Sequence, residues 1–131
     1  MIAVDSSALI AILEAEDDSA RFLDAIRAAP RRVASAITVY ETGIVIGARR
    51  GRESVAEIMD FIAALGVEIV PFAEPYITLA LQAYGRFGKG VDPTARLNLG
   101  DCAAYALAMH MDVPLLFKGS DFSTTDIKSC L

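Results

Sequence analysis

Four acidic residues in this 131-residue chain stand where an apolar run gives way to a helix or a turn: Asp5, Glu41, Asp101 and Asp121. Each has an ordinary local explanation. Asp5 follows Met1-Ile2-Ala3-Val4 and can cap the helix that begins beyond it, although Ser6 could do the same. Glu41 lies three residues after Thr38, the spacing of a capping box. Asp101 follows Gly100 at a helix start, where a carboxylate meets the helix dipole. Asp121 ends a Gly-Ser-Asp turn in which an aspartate can bond its own backbone.

Convergence would change the chemistry. Two carboxylates about 4 Å apart at an effective dielectric near 20 repel by about 4 kcal/mol, against about 1 kcal/mol from a helix dipole, so capping alone could not hold them ionised. A divalent cation would resolve the repulsion, and oxygen-only donors favour Mg²⁺ or Mn²⁺ over zinc. The chain has one histidine, His110, and two cysteines, Cys102 and Cys130. That scarcity argues against a zinc site, a Ser-His-Asp triad and a histidine-centred acid-base nuclease.

The elements that would position the acids alternate. Met1–Val4, Arg32–Ile37, Val67–Phe72 and Pro114–Phe117 read as strands. Helices are expected after Ser7, from Ser19 to Pro30, from Thr38 to about Arg50, from Glu53 to Leu65, from near Pro75 through Tyr84, and from Asp101 to about Met109. The glycine-rich, basic stretch from Gly85 to Gly100 is expected to be a loop. Such alternation predicts an α/β fold in which helices cover both faces of a parallel sheet and ligands bind beyond the carboxyl ends of its strands.

Composition fits one domain over residues 1–131: 54% of residues are hydrophobic, too many for a disordered chain. The formal charge of -5 gives no bulk support to nucleic-acid binding, though cations bound to an acidic cluster would reverse the field locally. Candidate phosphate contacts are Arg49, Arg50 and Arg52, with Arg86, Lys89 and Arg96; each group could equally be a solvated helix end or loop. Two cysteines fit a reducing compartment, no basic segment precedes an apolar core at the N-terminus, and no apolar stretch reaches the ~20 residues of a membrane span, so a cytoplasmic location without membrane contact is expected.

Four segments with their neighbours carry a resemblance. They are Met1 to Leu9, Glu41 after the second strand, Ala95-Arg96-Leu97-Asn98-Leu99-Gly100-Asp101-Cys102-Ala103-Ala104-Tyr105-Ala106, and Pro114-Leu115-Leu116-Phe117-Lys118-Gly119-Ser120-Asp121-Phe122. In this order they resemble the PIN-domain ribonucleases, and closely the VapC-type toxins of bacterial toxin-antitoxin modules. The resemblance implies a three-layer PIN-like fold with a central parallel sheet of about four or five strands. It implies Mg²⁺-dependent hydrolysis of RNA, with Mn²⁺ as substitute, at metal-binding acids matching Asp5, Glu41, Asp101 and Asp121. Ser6 matches the family's hydroxyl residue after the first acid, and Asp126 stands at a further position of variable role. A homodimer and a cognate antitoxin that blocks the acidic site are the partners implied. The segment Val91-Asp92-Pro93-Thr94 departs from similar loops that carry histidine or extra basic residues, which weakens the case for RNA contacts there.

Two other classes share the size and alternation. An aspartate-based phosphoryl-transfer or receiver domain would need an acceptor aspartate after the mid-chain strand, where this chain has Val70-Pro71-Phe72. A non-catalytic binding module would use the carboxylates only as caps.

Overall fold

The structure is a computed structural model and describes residues 1–131. Its elements run β1 (Ile2–Val4), α1 (Ser6–Leu13), α2 (Ser19–Ala28), β2 (Arg32–Ser35), α3 (Ala36–Arg50), a 3-10 turn (Arg52–Ser54), α4 (Val55–Ala64), β3 (Val67–Val70), α5 (Glu74–Phe87), α6 (Leu99–Met111) and β4 (Leu115–Leu116). The four strands form one parallel sheet in the order β3-β2-β1-β4. The expected α/β alternation and parallel sheet are therefore present, with four strands.

Side-chain alternation along the short strands explains the layers. Ile2 and Val4 of β1, Ala34 of β2 and Leu116 of β4 belong to a core shared with Leu9, Phe22, Ile26, Ile46, Ile58 and Ile62 of α1 to α4. Ala3, Val33 and Leu115, the intervening positions, belong to a second core with Ala83 of α5 and Tyr105 and Leu107 of α6. A strand buried on both faces reads as a continuous apolar run, and Ile2-Ala3-Val4 does.

Several boundaries differ from the sequence expectation. The second strand ends at Ser35, whose side chain accepts the Ile37 N–H at 3.2 Å and caps α3, so Thr38 and Glu41 form no capping box. Thr38 is instead inside the helix, its hydroxyl buried without a partner. The capping box lies elsewhere: Asn98 caps α6, accepting the Asp101 N–H at 2.8 Å, while the Asp101 carboxylate accepts the Asn98 N–H at 3.0 Å. Asp101 is therefore the third residue of α6 and not its first, and the expected loop is shorter, running from Gly88 to Asn98. Near its start a parallel bridge joins Gly88 to Leu97.

Candidate active site

All strands point the same way, so β1, β2 and β4 deliver the chain to one end of the sheet. Helices returning between parallel strands begin at that same end, which places the first turns of α1, α3 and α6 together. Asp5 follows β1, Glu41 lies in the second turn of α3, Asp101 in the first turn of α6, and Asp121 in the turns after β4.

Asp5 is the N-cap of α1. Its Oδ2 accepts the Ser7 backbone N–H at 3.1 Å and the Ser7 hydroxyl at 2.6 Å, while Oδ1 is buried with no hydrogen-bond partner. The cap reading and the site reading are thus both true of this residue, one oxygen for each. Ser6 is buried beside it and donates its hydroxyl to Glu41 Oε1 at 2.6 Å. Asp101 commits Oδ2 to the Asn98 N–H. Each of the three acids is therefore held through one oxygen by the protein.

Electrostatics tie the group together. Burial pushes the Asp5 carboxyl up to about 6; hydrogen bonds from Ser7 oppose that rise and the Glu41 charge adds to it. Burial likewise pushes Asp101 up to about 7, opposed by the Asn98 N–H and reinforced by the charges of Asp5, Asp121 and Glu41. Asp121 is exposed and joins the group from the solvent side. Gly100 completes the approach of α6 to α3, because a Cβ at this position would collide with the Glu41 carboxylate.

These donors suit a hard divalent cation. All are carboxylate oxygens, and the buried, unpartnered Asp5 Oδ1 is an anion's oxygen that needs a cation or a proton. No three Asp, Glu, His or Cys side chains stand close enough, as placed, to grip a single ion. Asp5, Glu41 and Asp121 all lie within charge-coupling range of Asp101, without forming a finished coordination shell.

Asp126 has a different setting. Its Oδ1 accepts the Tyr105 hydroxyl at 2.6 Å and its Oδ2 faces Arg86 Nη1 at 3.3 Å. Burial would raise its pKa, yet the Tyr105 bond and the Arg86 charge hold it below the usual carboxylate range. It clamps the C-terminal segment to α5 and α6. Two of the expected phosphate contacts are also engaged: Arg86 by Asp126, and Arg50 by Glu14 at 3.2 Å and the Leu13 carbonyl at 2.6 Å. Arg49, Arg52, Lys89 and Arg96 are exposed and form no ion pair with the chain's own acids.

His110 is exposed on the last turn of α6, its ring edge-on to Tyr76 at 4.9 Å, away from the acids. Burial, with the nearby Asp101 charge, pushes the Cys102 thiol up to about 11, which leaves it protonated and inert at neutral pH. Sequence reasoning missed Ser7, Gly100 and Lys118. The doubled serine after Asp5 and the glycine before Asp101 were visible signals, but their partners lie far along the chain.

Comparison with known proteins agrees with this geometry. The family model described as the PIN domain matches residues 2–128. The VapC ribonuclease Mb0625 of Mycobacterium bovis is 41% identical over 98% of this chain and 96% of its own length. A ribonuclease VapC of Mycolicibacterium smegmatis is 40% identical over 95% of each. Among solved structures, Mycobacterium tuberculosis VapC20, described as a Sarcin-Ricin loop cleaving toxin, superposes with a TM-score of 0.79 at 15% identity, covering 97% of this chain and 96% of that one. A toxin-antitoxin complex from Klebsiella pneumoniae reaches 0.70 at 14% identity over 96% and 93% of the two chains. The structural likenesses establish the shared fold, and the sequence matches go further: the chain belongs to the VapC-type PIN-domain ribonucleases, the divalent-metal-dependent toxins of toxin-antitoxin modules.

Proposed function

We propose that residues 1–131 act as one nuclease unit that hydrolyses RNA phosphodiester bonds with Mg²⁺, or Mn²⁺ in its place, bound among Asp5, Asp101, Glu41 and Asp121. The supporting observation is the buried, unpartnered Asp5 Oδ1 within charge-coupling range of the Asp101 and Glu41 carboxylates. A cation bound there would supply Lewis acidity, activating water and neutralising charge at the phosphate. Asp5 and Asp101 are the central ligands in this reading, because they are the most buried acids and the most strongly perturbed. Glu41, held by Ser6, and exposed Asp121 complete the donor set or orient the water. Arg49, Arg52, Lys89 and Arg96 are the cations free to meet phosphate, and Asp126 supports the fold around them.

The proposed partners are RNA, a cognate antitoxin and a second copy of the chain, in the cytoplasm. Two solved likenesses support the antitoxin: the Klebsiella pneumoniae complex, and VapBC2 of Rickettsia felis bound to a DNA fragment from its promoter. No helix is long and apolar enough to cross a membrane. Large apolar side chains stand exposed on α3 and α4 (Tyr40, Ile44, Val55, Met59) and on α5 with the start of α6 (Ile77, Leu81, Tyr84, Leu99), enough to seat two protein partners. One apolar cleft of about 580 Å³ runs from Tyr40 and Ile44 past Glu41 to Leu99, so a protein laid along it would also cover Glu41.

The test is Mn²⁺-dependent cleavage of single-stranded RNA by the wild type against Asp5→Asn and Asp101→Asn. Loss of about 100-fold or more in both variants, with folding retained, is expected for groups that hold the reacting centre. Equal activity in all three proteins would overturn the site.

A further inference from the structure

The Ser7 hydroxyl has a fixed proton direction. It lies 2.9 Å from the Lys118 backbone nitrogen and 2.6 Å from Asp5 Oδ2. A backbone N–H can only donate and an ionised carboxylate can only accept, so Ser7 Oγ accepts from Lys118 and gives its single proton to Asp5. The two contacts leave that hydroxyl no freedom to rotate.

Both ends of this relay are anchored. Lys118 follows β4 and its ammonium is held between Glu16 at 2.7 Å and Asp18 at 3.0 Å, in the segment that joins α1 to α2. The Asp5 backbone N–H donates to the Leu116 carbonyl at 2.9 Å, so β4 and the residues just after it fix both the main chain and one carboxylate oxygen of Asp5. The same stretch of chain continues to Asp121, three residues beyond Lys118. Ser6, the neighbouring hydroxyl, points elsewhere, to Glu41.

We infer that Ser7 is a positioning residue: by occupying Asp5 Oδ2 from a point fixed by the β4–Asp121 segment, it leaves Oδ1 as the one oxygen without a protein partner and makes Asp5 a one-oxygen ligand. This rests on the proposed metal site. Groups that orient a ligand from behind the metal commonly change affinity by 10–100-fold when removed. Ser7 is thus assigned a part in metal binding although it would never touch the ion.

The test is a Mn²⁺ titration of the full chain, reading free Mn²⁺ by electron paramagnetic resonance, for wild type, Ser7→Ala, Ser7→Cys, Ser7→Thr and Asp5→Asn. Ser7→Ala and Ser7→Cys are expected to raise the Mn²⁺ Kd by about 10-fold or more, whereas Ser7→Thr, which keeps the donor, stays near wild type. RNA cleavage by Ser7→Ala should recover as Mn²⁺ is raised; that by Asp5→Asn should not. If the alanine variant fails to fold, the cysteine and threonine variants decide, since both fill the site and only one carries a strong donor. Wild-type Kd in the alanine or cysteine variant, with Asp5→Asn impaired, overturns the role of Ser7 and leaves the site standing. Wild-type Kd in Asp5→Asn overturns both.

Discussion

The Ser6 hydroxyl meets Glu41 Oε1 at 2.6 Å across 35 residues of sequence, fastening the first turn of α1 to the second turn of α3. Through this bond the acid that follows β1 and the acid beyond β2 belong to one framework. Gly100 closes the third side, with no room for a methyl group between α6 and the Glu41 carboxylate. Gly100→Ala is therefore expected to displace Glu41, lower stability by about 1–3 kcal/mol and reduce RNA cleavage at least tenfold. Combining it with Glu41→Ala should recover much of the lost stability and none of the activity. Thermal melting and a cleavage assay on the single and double variants check this.

The metal-free protein should lose stability as pH rises from about 5 to 8. Asp5 and Asp101 have folded-state values raised from 3.8 to about 6 and about 7, so in that window the folded chain binds more protons than the unfolded one. Their favourable contribution is full below the unfolded value and is lost as pH climbs through the folded ones. In EDTA the Tm at pH 5.5 should exceed that at pH 8 by about 5 °C or more. Mn²⁺ should flatten the profile. Asp101→Asn, which keeps an oxygen to accept the Asn98 N–H, should melt higher than wild type at pH 8 in EDTA while losing activity.

Tyr105→Phe removes the hydroxyl that donates to Asp126 and leaves that carboxylate with Arg86 alone. A loss of about 1–2 kcal/mol in stability, with Mn²⁺ affinity within about twofold of wild type, is expected of a structural clamp. Urea unfolding and the Mn²⁺ titration separate the two effects, and a tenfold fall in affinity would place Asp126 in the metal site.

Thr38 offers a prediction of the opposite sign. Its hydroxyl is buried in α3 without a partner, so Thr38→Val should leave stability unchanged or raise it by up to about 1 kcal/mol. Denaturant midpoints decide.

Thr38 also shows where sequence reading stops. The Thr38-x-x-Glu41 spacing satisfied a capping rule, yet the strand runs only to Ser35 and the helix starts at Ala36, leaving Thr38 buried and Glu41 turned toward Ser6. A capping rule sees four residues; the pairing of β2 with its neighbours decides which residue actually ends the strand. Alternation, the parallel sheet and the acids at its carboxyl ends were legible because they follow from local apolar runs and the turns between them. The Ser7–Lys118 bond spans 111 residues and leaves no local pattern, so it had to be seen in three dimensions.

The last strand of the chain pairs with the first: Ala3 faces Leu115 and Val4 faces Leu116 in β1 and β4. During synthesis, Asp5 emerges early and waits for more than a hundred residues before the segment that braces it exists. A nascent or truncated chain lacking its final stretch would have neither Asp121 nor the Lys118 anchor, and so no assembled site. Assembly of the acidic site thus depends on a contact of high sequence separation, the β1–β4 pairing, and not on any local stretch of chain.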